Sequence, residues 1–374
     1  MIRLIIIGLF FLLLFILQKE IYNSFWYRNL HVDIRFEKNH IFQGETSALV
    51  EVIENRKRLP LSMLKVKFKT DRHLIFGSEK GSLTTDHFYR NDMFRIGGGE
   101  KVTRTLKFTG GRRGYYTIDE ASLVASDLLL ASMFTEDMPV STEIYVYPKP
   151  CDNEEFRRSL TRLNGEVLTR RHLLEDPFEY RGIREYQPFD PMRSINWKAT
   201  AKTGDLKVNQ KNYTSLKSVR VFFNVQDDGI LKKEECVEES LRIVAGLCKF
   251  FINQGIQVSC YGNGVDILTE RYVSIEAKAG EGHIDNIYRS LARVDLEKPT
   301  VNFCKAFEER LFSQADDTIT CFVSPNQYND FISLLTRFGN AGYEYFWFYP
   351  VLGMDEPELP HAVKSHVKVI HLGI

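Results

Sequence analysis

Excess charge of either sign is absent: Lys plus Arg and Asp plus Glu each number 49 in 374 residues. Without a basic excess there is no long-range field to gather nucleic acid or an anionic lipid surface, and a nucleic-acid partner is not expected. Cysteine is sparse, six residues with no C-x-x-C pair and no paired spacing of a disulfide framework, which points to a reducing compartment and excludes a cysteine-rich zinc site. The catalytic templates are missing too. There is no G-x-x-x-x-G-K-[ST] phosphate loop, no G-x-S-x-G elbow and no H-E-x-x-H helix. Tyr261-Gly262-Asn263-Gly264 offers only two glycines of a dinucleotide fingerprint and reads as a turn. His361, His366 and His371 recur every five residues, a spacing that suits neither one helix face nor a zinc pattern. No cofactor is expected.

What is present is a folded-protein composition, 44% hydrophobic and 26% charged, in a chain long enough for two domains. It opens on an unbroken apolar run, Leu4 to Leu17, followed by Gln18, Lys19 and Glu20. The run is shorter than the roughly 20 residues that usually cross a bilayer, so a cleaved signal peptide and a buried helix compete with an anchor. The flank favours the anchor, because no small residues follow the run as a peptidase site requires. Phe25, Trp26 and Tyr27 stand where an aromatic belt would meet the headgroups. Arg3 and the amino terminus on one side are balanced by Lys19 and Arg28 on the other, so charge does not orient the segment; scattered thiols lean towards a cytoplasmic bulk. Residues 1–27 are thus assigned to a single-pass membrane segment, and a chain beginning at residue 28 is expected to fold, since each later half carries its own core pattern.

Residues 28–150 have a period of two. Leu64, Val66 and Phe68 alternate with lysines, and Val102, Leu106 and Phe108 alternate with Thr103, Thr105 and Lys107. Turn clusters at Gln43-Gly44-Glu45 and Gly110-Gly111-Arg112-Arg113-Gly114 separate the strands. An antiparallel, immunoglobulin-like β-sandwich is expected. Residues 151–217 connect the halves, beginning with a helix-compatible stretch that sets Phe156, Leu160 and Leu163 on one side. Residues 218–374 alternate β and α. Strands are expected at Val219 to Val225, Ile256 to Tyr261, Thr318 to Val323, Glu344 to Tyr349 and Val367 to Leu372. Helices are expected at Glu234 to Asn253, Ile284 to Leu291, Phe303 to Phe312 and Tyr328 to Phe338. The pattern implies a mostly parallel, Rossmann-like α/β sheet covered on both faces.

The most distinctive segment is Tyr180 to Gln210, Y-R-G-I-R-E-Y-Q-P-F-D-P-M-R-S-I-N-W-K-A-T-A-K-T-G-D-L-K-V-N-Q. Gly182, Arg184, Tyr186, Pro188, Asp190, Arg193, Ile195, Trp197, Lys198, Ala201 and Lys202 fall on the pattern G-x-R-x-Y-x-P-G-D-x-x-R-x-I-x-W-K-x-x-A-[RK], and the segment resembles the core motif of domain-of-unknown-function family 58. The resemblance implies a bacterial membrane protein with a von Willebrand factor A-like domain, working beside a MoxR-type AAA ATPase. Phe189 departs from the family's usual glycine, and a turn built differently is expected there. Two readings of the segment stand side by side. Its cations, with Asn196, Tyr186 and Trp197, can bind a phosphate or a partner's carboxylate. Alternatively the charges pair within the chain and lock an extended loop, with Trp197 as a buried anchor and Arg193 beside Asp190, leaving Arg184 at the exposed edge.

Domains of the von Willebrand factor A type commonly carry a metal-dependent adhesion site opening with D-x-S-x-S. Here that position reads Asn224-Val225-Gln226-Asp227-Asp228. An amide in place of the leading carboxylate and the loss of both serines degrade an octahedral Mg²⁺ site, so no metal is expected and the aspartates read as turn or capping residues. The sequence therefore points to a membrane-held, non-enzymatic scaffold or assembly adaptor. A hydrolase-like enzyme with an unrecognised site near the signature, and a metal-dependent adhesion module, are the alternatives.

Overall fold

The computed structural model of the chain describes residues 2–77, 81–84, 87–173, 175–213, 218–227, 233–313, 318–353 and 359–372; side chains at 81–84, 87–89, 166–173, 175–181 and 210–213 lie outside the description. The chain forms two compact units, Met1–Lys149 and Pro150–Ile374.

The first unit begins with a helix, Ile2–Phe25, long and apolar enough to cross a membrane and with none of its apolar window buried. Its last turns differ. Tyr22 and Trp26 are buried among the β-strand core residues, and the Tyr22 hydroxyl donates to the Pro60 carbonyl at 2.9 Å. The aromatic belt expected at 25–27 is therefore split. Phe25 and Tyr27 are exposed, while Trp26 belongs to the core. A chain beginning at residue 28 would lose two large core side chains, which corrects the expectation that it folds unharmed.

Behind the helix stand two sheets around one core. One runs Leu30–Phe36, Thr46–Asn55, Lys101–Gly110, Leu74–Phe76, with every neighbour antiparallel. The other runs His40–Phe42, Met133–Tyr147, Gly114–Ser126, Leu61–Asp71, His87–Ile96, Gly81–Thr84. The alternation read in the sequence is what fills the space between them: Leu64, Val66 and Phe68 are buried with Leu106, Phe108, Leu123 and Ile144. The arrangement is a β-sandwich, but not wholly antiparallel. After Phe36 the chain steps across to the opposite sheet, and His40–Phe42 then runs parallel to Tyr145–Tyr147 along its edge. The core also holds charge. Glu51 is fully buried, close to Asp92, which pairs with Arg90 at 2.7 Å and Arg104 at 2.8 Å.

The second unit starts with the helix Glu154–Leu173, longer than the expected stretch, whose Phe156, Leu160 and Leu163 are buried. Its main sheet runs Tyr272–Lys278, Gln257–Asp266, Ser218–Phe223, Thr318–Val323, Tyr345–Leu352, Val367–Leu372, with Val294–Asp295 paired to Gln257–Asp266. The five strands from Gln257–Asp266 to Val367–Leu372 are mutually parallel; Tyr272–Lys278 closes one edge antiparallel. Alternate strand residues serve the two faces. Phe222, Phe322 and Trp347 join the side chains of helices Phe303–Phe312 and Asn329–Asn340. Helices Glu234–Asn253 and Glu281–Ala292 pack together, the former also against the strands, and Phe156 meets Phe348 ring to ring. Tyr261 to Gly264 is not the expected turn but lies inside Gln257–Asp266. Gly262 is there because the Phe223 ring lies over it, leaving a Cβ only 2.1 Å from the nearest ring carbon.

Candidate functional site

The signature segment folds as an antiparallel hairpin with a long, compact excursion between its strands. Glu175–Glu185 pairs with Lys207–Tyr213, in register Ile183 to Asn209, Arg184 to Val208 and Glu185 to Lys207. The register shifts on either side of Tyr180, and a β-carbon at Gly182 would meet open space, so the local structure does not require a glycine there.

The excursion is held by its own polar groups. The Tyr186 amide donates to the Leu206 carbonyl at 2.9 Å, closing its base. Gln187, Pro188, Phe189 and Asp190 make a turn, with the Asp190 amide donating to the Gln187 carbonyl at 2.8 Å. Pro188 supplies the preset φ at the second position. Phe189 keeps a negative φ, since the described non-glycine residues with positive φ are Asn29, Leu130 and Glu270. The turn therefore has no need of the family's glycine. A 3₁₀ turn, Met192–Ser194, leads to Ile195, which is buried and bridges to Val208. Asn196 then caps the helix Trp197–Thr203: its Oδ1 accepts from the Ala199 amide at 2.9 Å, while its Nδ2 donates to Asn209 Oδ1 at 2.7 Å. Gly204, at φ 81°, ends the helix in the left-handed conformation.

Arg184 and Asp190 form a two-pronged ion pair, Nη1 to Oδ2 at 2.7 Å and Nη2 to Oδ1 at 2.6 Å, and the Gln187 amide adds a third bond to Oδ2 at 2.8 Å. The Arg184 hydrogen bonds, followed by that amide, hold the Asp190 carboxyl below the usual carboxylate range. This reverses the expected assignment. Arg184 is the structural partner of Asp190, and Arg193 is exposed. Trp197 is likewise not a buried anchor: it is 65% exposed, because it stands at the first position of a short helix whose inward positions are taken by Ala199 and Thr200. Lys198 and Lys202 are exposed on the same helix.

The excursion thus sorts its residues into two sets. Arg184, Pro188, Asp190 and Asn196 fix the shape, with Tyr186 at the neck and Gly182 on the strand before it. Arg193, Trp197, Lys198 and Lys202 face solvent, joined by Phe189 and Met192, which are 77% and 70% exposed. Met192 was missed in the sequence and Phe189 was noted only for replacing a glycine; the signal for both is a large apolar side chain in a Pro-x-Asp-Pro-x-Arg turn. Two exposed apolar residues flanking prolines and an exposed indole among cations make a surface suited to a macromolecular partner.

At the position compared above with a metal-dependent adhesion site, the side chains bond to the chain itself. Asn224, buried at the end of Ser218–Phe223, accepts through Oδ1 from the Gln226 amide at 3.0 Å and from Asn263 Nδ2 at 2.8 Å, and Asn263 Oδ1 accepts from the Val225 amide at 2.9 Å. Asp227 Oδ2 accepts from the Lys233 amide at 2.5 Å. Gln226 Oε1 reaches the Phe303 amide at 3.5 Å. Asp228 lies outside the described residues. These oxygens are spent on backbone and amide donors, and no group of three metal-ligating side chains occurs among the described residues. All six cysteines are free and none is fully exposed. Burial pushes the Cys151 and Cys304 thiols up to about 12, where they stay protonated and poorly nucleophilic at neutral pH.

No family model matches the chain, and no curated protein matches it. Solved structures give partial likenesses. A non-cellulosomal cohesin from the hyperthermophilic archaeon Archaeoglobus fulgidus is 11% identical, covering 34% of this chain and 96% of that one at a TM-score of 0.22. A CARDB domain from Pyrococcus furiosus, solved with di-metal ions, is 14% identical over 31% of this chain and 96% of its own, at 0.19. The sporulation control protein Spo0M from Bacillus subtilis is 14% identical over 42% and 58%, at 0.19. At these scores no function is carried from them to this chain.

Proposed function

We propose that the protein is a membrane-anchored, non-enzymatic adaptor of the domain-of-unknown-function 58 type, whose signature excursion docks a MoxR-type AAA ATPase. In this reading the first unit is an immunoglobulin-like sandwich, and the second is a Rossmann-like, von Willebrand factor A-like domain without its metal. The observation that carries the reading is the division of labour in the excursion. Residues that could have been a catalytic or anion-binding set, Arg184, Asp190 and Asn196, are consumed in holding its shape. What is presented outward is Phe189, Met192 and Trp197 among Arg193, Lys198 and Lys202, the aromatic and cationic mixture that dominates interface energetics. A retained anchor is supported by Tyr22 and Trp26, since cleavage between the apolar run and residue 27 would strip two side chains from the sandwich core. Free thiols throughout support a cytoplasmic bulk.

The test uses the full chain in detergent and a purified MoxR-type ATPase from the same organism. Trp197→Ala and Arg193→Ala should each weaken binding by about 2 kcal/mol, roughly thirtyfold, with thermal melting unchanged. Undiminished binding in both variants would remove the excursion as the docking surface.

A further inference from the structure

The loop between Gly114–Ser126 and Met133–Tyr147 reads Asp127-Leu128-Leu129-Leu130-Ala131-Ser132. Three consecutive leucines at a loop tip would ordinarily turn inward; here Leu128, Leu129 and Leu130 are 55%, 61% and 58% exposed, and Met133 beside them is 62% exposed. The loop backbone is tightly set. Leu130 has a φ of 58°, a left-handed conformation costly for a branched side chain. Asp127 holds the loop closed: its Oδ1 accepts from the Ala131 amide at 2.7 Å, its carbonyl accepts from the Leu130 amide at 3.2 Å and its amide donates to the Ser132 carbonyl at 3.2 Å.

A side-chain contact ties this loop to the helix. The other carboxylate oxygen of Asp127 accepts from Gln18 Nε2 at 2.9 Å. Gln18 is the first polar residue after the apolar run Leu4 to Leu17, so the leucines lie beside the helix at the level where its lipid-like surface ends. That run of fourteen residues rises only about 21 Å, whereas the hydrocarbon core of a bilayer is about 30 Å thick. The apolar run alone is shorter than that core, and Leu128, Leu129, Leu130 and Met133 add exposed apolar surface beside its Gln18 end.

We propose that the 127–133 loop is a second membrane-contacting element, its leucines inserted into the phospholipid headgroup and acyl-chain boundary beside the helix. Both carboxylate oxygens of Asp127 have donors, the Ala131 amide and Gln18 Nε2, so insertion leaves the carboxylate with partners, while Gln18 Oε1 is buried with no hydrogen-bond partner among the described residues. The loop fixes the tilt and rotation of the sandwich against the bilayer, which one helix cannot do. This inference rests on the membrane-anchor reading, and the experiment separates the two.

The full chain is reconstituted into phosphatidylcholine and phosphatidylglycerol vesicles, with or without a nitroxide on the acyl chain near the headgroup. An environment-sensitive fluorophore is attached at Leu12→Cys, Leu128→Cys or Leu129→Cys, and labelling of the parent chain is subtracted. All three positions are exposed, so the substitutions leave the core intact. The expected result is blue-shifted emission and nitroxide-dependent loss of signal at position 12 and, to a comparable extent, at 128 and 129. Quenching at 12 with none at 128 and 129 overturns the loop proposal while leaving the anchor standing. Quenching at none of them overturns the anchor, and the loop proposal with it.

Discussion

Glu51→Gln should remove most of the pH dependence of stability between mildly acidic and mildly alkaline conditions. Glu51 sits on Thr46–Asn55 with no solvent exposure, and neither carboxylate oxygen has a hydrogen bond of ordinary geometry, although a contact with Asp92 contributes weakly. Burial first, then the negative charge of Asp92, push its carboxyl from 4.5 up to about 8, against the opposing pull of Arg104 and Arg90. In the unfolded chain the same group ionises near 4.5. Between those two values the folded protein binds more protons than the unfolded one, so this contribution is whole at acid pH and is lost as pH climbs through about 8. The displacement corresponds to about 5 kcal/mol across the window, with a steepest slope of about 1.4 kcal/mol per pH unit for one proton. Glutamine keeps the shape and cannot ionise. Thermal or denaturant unfolding of the full chain in detergent, from pH 5 to 8.5, should show the parent losing stability with rising pH and the variant nearly flat, more stable than the parent at the alkaline end. An equal slope in both proteins would refute the assignment of a buried, protonated Glu51.

In the signature excursion, Arg184→Ala should lower the melting temperature of the second unit and Arg184→Lys should restore only part of the loss, because an ammonium cannot reproduce the two-pronged geometry; circular dichroism melts decide it. Trp197→Ala, at an exposed position, should change stability by no more than about 0.5 kcal/mol, and a drop of several times that would place the indole in a core. Gly262→Ala should cost about 1–3 kcal/mol or more as overpacking against Phe223, read as a lowered denaturant midpoint without change in the folded spectrum. Calorimetric titration with Mg²⁺ should show no saturable heat below about millimolar; a micromolar site lost on Asp227→Ala would contradict the inward-turned network around Asn224.

Much of the second unit was legible because its strands and helices each bury a continuous face. Thr318–Val323, Val367–Leu372, Glu234–Asn253 and Phe303–Phe312 lie where their apolar periods place them. The edge strand Tyr272–Lys278 escaped notice although Val273 and Ile275 alternate with Ser274 and Glu276, since an edge strand buries only one face and its signal is half as dense. Gly262 and Gly264 looked like a turn because local propensity cannot register a Phe223 ring arriving from a strand almost forty residues away. The site was harder. Sequence order alone could not decide which arginine takes Asp190, since Arg184 is six residues away and Arg193 three; the hairpin turn, by folding the chain back at Pro188, favours the more distant one. Trp197 was misjudged because a large aromatic is usually buried, and nothing local to it reveals that its helix is two turns long with small residues inside.

The helix Ile2–Phe25 and the residue after it bury one stripe: Phe15 and Gln18 are half-buried, and Tyr22 and Trp26 are fully so. Those positions are spaced by three and four residues, and their common face depends on helical phase rather than on length. Replacing Leu4 to Leu14 by another apolar stretch should be tolerated, whereas inserting a single residue between Gln18 and Tyr22 would turn the apolar segment by about 100° against the sandwich and part Gln18 from Asp127. Chimeras that graft a foreign membrane segment onto this protein must therefore be joined in phase, and the joint belongs before Phe15.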